Sequence, residues 1–309
     1  MSAAWVAGAV RAKALVHRYP GADGAREVAA CATLDDAFQL LAATPYSRYV
    51  RTAAGLPEAQ RAVTATLLWH LRVLAGWLPR SGSRLLVPLA AGFEIANVTS
   101  RLLALDAHRP DAPAPYRLGA LETAWRSLER AGTLAELRAA LAASPWGDPG
   151  GDTPWALITG MRMAAARRTA GTVPPARHWA EGRAALLVAR ELFVYRRPLP
   201  IPVQHDATRL LGARATSAAS YQEFRAGLTS TARWVVAEVA EPGGLWRAEA
   251  GWWERVQHDG ALMLRDGRYG PRVVVGAVAV LSVDAWRVRA ALESAARGGR
   301  PVEVFDALA

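Results

Sequence analysis

Two histidine–aspartate pairs are the residues whose types and spacing most resemble catalytic groups. His205 directly precedes Asp206, and His258 directly precedes Asp259. A histidine oriented by a carboxylate can act as a general base. Neighbouring residues on a helix point in different directions, however, and the sequence marks no nucleophile for either pair to activate. The pattern therefore does not favour a catalytic dyad at either position.

Metal and nucleotide sites are equally weakly indicated. None of the six histidines has a histidine or cysteine at ligand spacing, so we do not expect zinc. Cys31 is the only cysteine, which excludes an intrachain disulfide. The sequence contains no Gly-x4-Gly-Lys-Ser/Thr motif, so nothing predicts a phosphate-binding P-loop. We expect no active site, no cofactor and no metal, and therefore a protein that is not an enzyme.

One pattern occurs three times, in segments 33–46, 133–146 and 220–231, which begin 100 and 87 residues apart. Each segment opens with Ser or Thr and has Asp or Glu three residues later, which is the signature of a capped helix start. Apolar side chains follow at positions two and nine of each segment, on one helical face. The pattern predicts three equivalent helices, and five of these side chains should be buried: Leu34, Leu41, Leu134, Leu141 and Leu228.

A second pattern follows each copy by 61, 73 and 64 residues. It consists of an acid, two residues, then Asn or Arg and an aliphatic residue, and residues three apart share a helical face. Each polar pair could hold together the helical lobe that contains it, or it could border a cavity or a junction between lobes. The candidate partner-binding or interlobe residues are Glu94, Asn97, Arg101, Asp206, Arg209, Asp284 and Arg287.

In the order of these elements the chain resembles the central-stalk socket protein of the V-type and A-type rotary ATPases. That family is known as the C subunit, and its eukaryotic relative as the d subunit. Residues 5–15 resemble the opening helix of that family, and residues 33–50 resemble its helix ending in Thr-x-Tyr. The resemblance covers most of residues 5–146 and returns at about 218–305. Arg209 and Arg287 depart from the family, which favours Asn there.

The resemblance implies an all-α fold of three pseudo-symmetric helical lobes around a central cavity, like a funnel. The lobes would span residues 1–110, 111–213 and 214–309. It further implies a non-catalytic central-stalk subunit that links the rotor shaft to the membrane proteolipid ring. Such a protein couples ATP hydrolysis or synthesis to proton or sodium transport. It would lie in the cytoplasm, peripheral to the membrane.

Composition agrees with a helical protein, since 52% of the 309 residues are hydrophobic and Ala, Leu and Arg are abundant. The apolar run 273–281 is much shorter than the roughly 20 residues that span a bilayer. The first residues lack the long apolar segment and cleavage site of a signal peptide, so we expect none. The net charge of +10 is dispersed, and no helix-turn-helix or RNA-binding motif accompanies it. A free-standing helical adaptor is the main alternative, and a basic nucleic-acid-binding regulator is a less favoured one.

Tryptophans are grouped in the last third of the chain, at Trp234, Trp246, Trp252 and Trp253. A buried aromatic cluster is the favoured interpretation. A partner-binding patch is the alternative, because tryptophan is enriched among the residues that dominate binding energy.

Overall fold

A computed structural model describes residues 2–105 and 112–299. Every regular element in these two ranges is a helix, and neither range contains a strand. The expected all-α class is confirmed. The α-helices, in chain order, are α1 (Ala3–Val16), α2 (Gly21–Ala29), α3 (Leu34–Leu41), α4 (Ser47–Val50), α5 (Leu56–Trp77), α6 (Arg80–Leu89), α7 (Ala91–Leu105), α8 (Trp125–Leu128), α9 (Leu134–Ala142), α10 (Pro154–Thr172), α11 (Arg177–Ala189), α12 (Ile201–Leu211), α13 (Ala213–Thr216), α14 (Tyr221–Gly227), α15 (Ser230–Arg233), α16 (Leu245–Leu264) and α17 (Pro271–Ala296).

The three repeated segments begin helices α3, α9 and α14 with the same cap. The hydroxyls of Thr33, Thr133 and Ser220 accept from the backbone N–H three residues later, at 3.2, 3.1 and 3.2 Å. These bonds satisfy N–H groups that have no partner inside a helix. In α9 and α14 the carboxylate also reaches back, because Glu136 and Glu223 each accept a backbone N–H from the residue before the cap.

Burial along the repeated helices follows the predicted face with one difference. Leu41, Leu141 and Leu228 are buried, whereas Leu34 and Leu134 are only half-buried. Positions two, five and nine of each segment form the inward face, and position five contributes a buried side chain in every copy: Ala37, Leu137 and Phe224. The first turn lies at the edge of the core, so its leucine keeps part of its surface in solvent.

The chain forms two compact units. Unit 1 comprises Met1–Ser83 and Trp253–Ala309. Helix α17 is its central element and packs against α1, α2, α3 and α5. The apolar run 273–281 is helical and largely buried in α17. Gly276 allows the close approach of α16, because a Cβ atom there would lie 2.7 Å from the carbonyl oxygen of Gly260.

Unit 2 comprises Arg84–Trp252 and contains the hairpin of α10 and α11. Its apolar core lies between α11, α12, α14 and α15. Gly182 of α11 makes room for tryptophans, since a Cβ atom there would be 3.0 Å from the Trp234 ring and 3.3 Å from that of Trp252. The indole N–H of Trp252 donates to the carbonyl oxygen of Trp179 at 2.8 Å.

The tryptophan group therefore divides. Trp234 and Trp252 pack within unit 2, and Trp253 stacks on Trp286 within unit 1. Trp246 is 47% exposed. Trp234 and Trp252 are partly buried against the core of unit 2, so the buried-cluster interpretation applies to them only in part, and it does not fit Trp246.

The two units do not follow the three ranges predicted from the repeats. Helix α7, from the first range, belongs to unit 2, and helix α17, from the third range, belongs to unit 1. Their packing partners explain the difference, since α7 contacts α8 and α10 while α17 contacts α1 and α2. Three pseudo-symmetric lobes remain a prediction. Within the described residues, no helix is both long enough and apolar enough to cross a membrane.

Candidate functional site

Glu94 is a buried acid on α7 that joins other segments of unit 2, and we call such a place a helix junction. Its side chain accepts the backbone N–H groups of Thr123 and Ala124 at 2.6 and 2.9 Å, and the indole N–H of Trp146 at 2.7 Å. Three donors thus converge on a carboxylate that is 1% exposed. Such bonds to a charged acceptor are stronger than bonds between neutral groups, and they compensate for burying the charge.

Asn97 and Arg101 extend the same polar face of α7. The Asn97 amide donates to the Tyr116 carbonyl oxygen at 2.9 Å and accepts the Tyr116 N–H at 2.6 Å. Arg101 donates from Nε and Nη2 to the carbonyl oxygen of Ala131. Because positions 94, 97 and 101 share one helical face, α7 binds the backbone of the segment that leads into α9.

Asp284 has the corresponding role in unit 1. Its carboxylate accepts the Tyr46 hydroxyl at 2.6 Å and the Gly21 backbone N–H at 2.7 Å. Burial raises the pKa of Asp284 to about 6, although both hydrogen bonds and the nearby charge of Arg287 oppose this rise. Burial, together with the adjacent Asp284, raises the pKa of Tyr46. Burial also lowers the pKa of Arg287, against the effect of Asp284.

The turns that carry the two aromatic donors, Tyr46 and Trp146, have the same internal hydrogen bonds. The hydroxyls of Thr44 and Ser144 donate to the carbonyl oxygens of Leu41 and Leu141, each at 2.7 Å. The same hydroxyls accept the backbone N–H of the aromatic residue two positions later, at 3.2 and 3.1 Å. A Ser/Thr-Pro-aromatic tripeptide therefore ends both repeated helices and directs Tyr46 or Trp146 toward a buried acid.

The third repeated segment lacks this tripeptide. Arg233 stands where the other copies have Tyr46 and Trp146, thirteen residues after the cap. Its guanidinium donates at 2.8 Å to the carbonyl oxygen of Leu228, the counterpart of Leu41 and Leu141. A cation thus satisfies the helix end that a hydroxyl satisfies in the other two copies.

Asp206 does not match Glu94 and Asp284. It lies on α12, where its side chain is 21% exposed and pairs with Arg167 at 2.8 Å and with Arg209 at 3.8 Å. The Asp-Ala-x-Arg sequence that it shares with Asp284 therefore occurs in two different environments. Asp206 and Arg209 border a cleft of about 300 Å³ in unit 2. Trp146, Asp148 and His205 also line this cleft. Arg209 is 77% exposed, so this pair is the most accessible of the predicted site residues.

Sequence reasoning missed another buried acid, Glu191. It accepts the indole N–H of Trp155 at 2.8 Å and pairs with Arg197 at 3.2 Å. Trp155 ends the tripeptide Thr-Pro-Trp, and the chain contains only two other Ser/Thr-Pro-aromatic tripeptides. In all three tripeptides the aromatic residue donates to a buried acid. The recurrence of this tripeptide was the signal that could have identified these acids.

In both histidine–aspartate pairs the carboxylate has an arginine partner. His205 and His258 are exposed, while Asp206 and Asp259 pair with arginines, Asp259 at 2.9 Å from Arg255. No group of three or more histidine, cysteine, aspartate and glutamate side chains among the described residues could hold a metal ion.

The predicted residues are therefore of two kinds. Glu94, Asn97 and Asp284 are buried and bind backbone or aromatic donors of their own unit, whereas Asp206 and Arg209 border an accessible cleft. The first set can hold helices in fixed positions, and the second can contact another molecule. No protein-family model matches the chain, and no curated protein matches it.

Proposed function

We propose that this chain is a non-catalytic helical connector of a rotary ATPase, equivalent to the C subunit of V-type and A-type complexes. In this role it links the rotor shaft to the membrane proteolipid ring and lies peripherally at the cytoplasmic face. The proposal rests on the resemblance in the order of the repeated elements.

The observation that carries it is the repeated junction. Trp146 donates to Glu94, and Tyr46 donates to Asp284, through the same Ser/Thr-Pro-aromatic turn at the end of a capped helix. This recurrence supports a repeated helical architecture, which the resemblance also implies. A rigid connector needs such fixed junctions, because it transmits torque only if its helices do not move relative to one another.

The accessible pair Asp206 and Arg209 is the candidate contact for the shaft or ring. Glu94 and Asp284 are too deeply buried to contact a partner directly, so we assign them to holding the fold. Their charge reversal would test folding rather than binding.

A native pull-down with mass spectrometry tests the proposal. We expect the tagged chain to recover the proteolipid and shaft subunits in comparable amounts. Arg209→Glu should reduce that recovery while the melting temperature stays unchanged, whereas Arg214→Glu, at another exposed arginine of unit 2, should not. Recovery of unrelated proteins, without any ATPase component, would instead support a free-standing adaptor.

A further inference from the structure

An open cavity of about 480 Å³ lies within unit 1, a size common among small-molecule sites. The end of α1, the turn between α3 and α4, and the middle of α5 surround it. Its lining includes Arg18, Thr44, Ser47, Arg48, Trp69 and His70.

The charge of this cavity is positive. Arg18 and Arg48 line it, and no lining residue is acidic. Within the described part of the chain, neither guanidinium forms an ion pair or donates a hydrogen bond to another residue. Other arginines pair with carboxylates instead, as Arg167 does with Asp206. Two unneutralised guanidinium groups in a concave site attract anions.

Arg48 is held in place by an aromatic ring. Its guanidinium carbon lies 4.2 Å from the centre of the Trp69 ring and 5.5 Å from that of Tyr49. Cation–π contacts of this kind fix the plane of the guanidinium. A guanidinium held in one orientation loses less freedom when it binds a planar or tetrahedral oxyanion.

The inner end of the cavity is neutral. His70 is 5% exposed and is hydrogen-bonded to the Tyr19 hydroxyl. Burial and the charges of Arg18, Arg11 and Arg48 lower the pKa of His70 to about 4, against a hydrogen bond to the Thr66 backbone. The positive charges of three arginines therefore act on His70, and His70 adds no charge of its own at neutral pH.

Hydroxyl donors complete the lining. The Thr44 hydroxyl already donates to Leu41, but the Ser47 hydroxyl makes no hydrogen bond to any described residue. A free hydroxyl beside two guanidinium groups matches the acceptor-rich surface of a phosphate group.

We propose that the cavity bounded by Arg18, Ser47 and Arg48 is a binding site for a phosphate group. The group is carried either by a small soluble molecule or by a lipid headgroup. The site borders the turn that carries Tyr46, because Thr44 lines the cavity, and it does not depend on membership of a rotary ATPase.

Isothermal titration calorimetry with pyrophosphate on the full chain tests the site. We expect saturable binding with one site per chain. Arg18→Gln and Arg48→Gln should each weaken binding by about tenfold or more, because each removes charged donors from the anion. Arg265→Gln removes the same charge from an exposed position of unit 1 outside the cavity, and it should leave affinity within about twofold.

A second experiment distinguishes a soluble phosphate ligand from a lipid headgroup. The chain is sedimented with phosphatidylcholine vesicles that contain about one tenth phosphatidic acid, with and without the two cavity substitutions. Binding of pyrophosphate assigns a soluble ligand. Sedimentation that is lost in Arg48→Gln but not in Arg265→Gln, without pyrophosphate binding, assigns a headgroup.

Two results would overturn the proposal. One is the absence of both pyrophosphate binding and vesicle binding by the folded wild-type chain. The other is an equal loss of binding in Arg265→Gln and Arg48→Gln, which would show attraction by net charge alone. Unchanged melting temperatures in all three variants ensure that lost binding is not lost folding.

Discussion

The Tyr46 hydroxyl donates at 2.6 Å to the buried carboxylate of Asp284, a residue 238 positions later in the chain. The same carboxylate accepts the backbone N–H of Gly21, which begins α2. One acid therefore joins the end of a repeated helix to the start of another helix. Glu94 does the same for Trp146 and the backbone that leads into α8.

Removing the Tyr46 hydroxyl should destabilise the protein. Tyr46→Phe leaves Asp284 with a single donor in a buried site, which should lower the free energy of unfolding by about 1–3 kcal/mol. Urea unfolding measures this change. Tyr49→Phe is the matched control, because its hydroxyl makes no hydrogen bond to the described residues, and it should change stability by less than about 0.5 kcal/mol. Equal effects of the two substitutions would show that the hydroxyl bond contributes little.

Truncation of Glu94 should cost more than truncation of a partly exposed acid. Glu94→Ala leaves two backbone N–H groups and the Trp146 indole without an acceptor, so we expect a loss of at least about 3 kcal/mol. Glu122→Ala breaks only the ion pair with Arg126, whose side chain is 80% exposed, and should cost about 1 kcal/mol or less. Chemical denaturation of both variants checks this, and a loss below about 1 kcal/mol for Glu94→Ala would contradict the junction role.

The inward face of α3 can be tested on neighbouring leucines. Leu41→Ala should lower the free energy of unfolding by about 2–5 kcal/mol, because it removes a fully buried side chain and leaves a cavity. Leu40→Ala, at a side chain that is 42% exposed, should have an effect of about 0.5 kcal/mol or less. A larger effect at Leu40 than at Leu41 would mean that the helical face is assigned wrongly.

Asp284 should make stability depend on pH in a defined direction. Its folded pKa of about 6 lies above its ordinary value of 3.8, so the folded state binds the proton more tightly than the unfolded state. Its contribution to stability is therefore present at low pH and is lost as pH rises from about 4 to about 6.

Asp284→Asn removes this titration but leaves that of His70 in place. The stability advantage of the wild type over Asp284→Asn should therefore shrink between about pH 4 and about pH 7. Urea unfolding of both proteins at the two pH values measures the difference. An advantage that grows with pH would show that the hydrogen bonds from Tyr46 and Gly21 outweigh burial.

Gly182 should not tolerate a methyl group. Gly182→Ala places Cβ 3.0 Å from the Trp234 ring, and the resulting overpacking should cost about 1–3 kcal/mol. Gly251, in α16 of the same unit, has open space on this side, because a Cβ atom there would meet nothing within 4 Å. Gly251→Ala should therefore be neutral or should stabilise the helix by up to about 1 kcal/mol. Thermal or urea unfolding distinguishes the two outcomes.

The caps and periodicity of the repeated helices could be read from the sequence because they are local. The hydroxyl of Thr33 meets a backbone N–H only three residues away, so residue types at that spacing are enough to predict the bond. Burial of Leu41 and Leu141 followed from the same short-range pattern. The half-burial of Leu34 did not, since it depends on where the edge of the core lies.

The junctions depend on contacts that local patterns cannot specify. Asp206 and Asp284 share the sequence Asp-Ala-x-Arg, yet one pairs with Arg167 beside a cleft and the other accepts from Tyr46 in a buried site. Only packing decides the difference, because burial and partners come from residues far away in the chain. The sequence by itself determined where the repeated helices begin and which of their faces is apolar. The tertiary structure decided which acids are buried, since desolvation depends on every element that packs around a carboxylate.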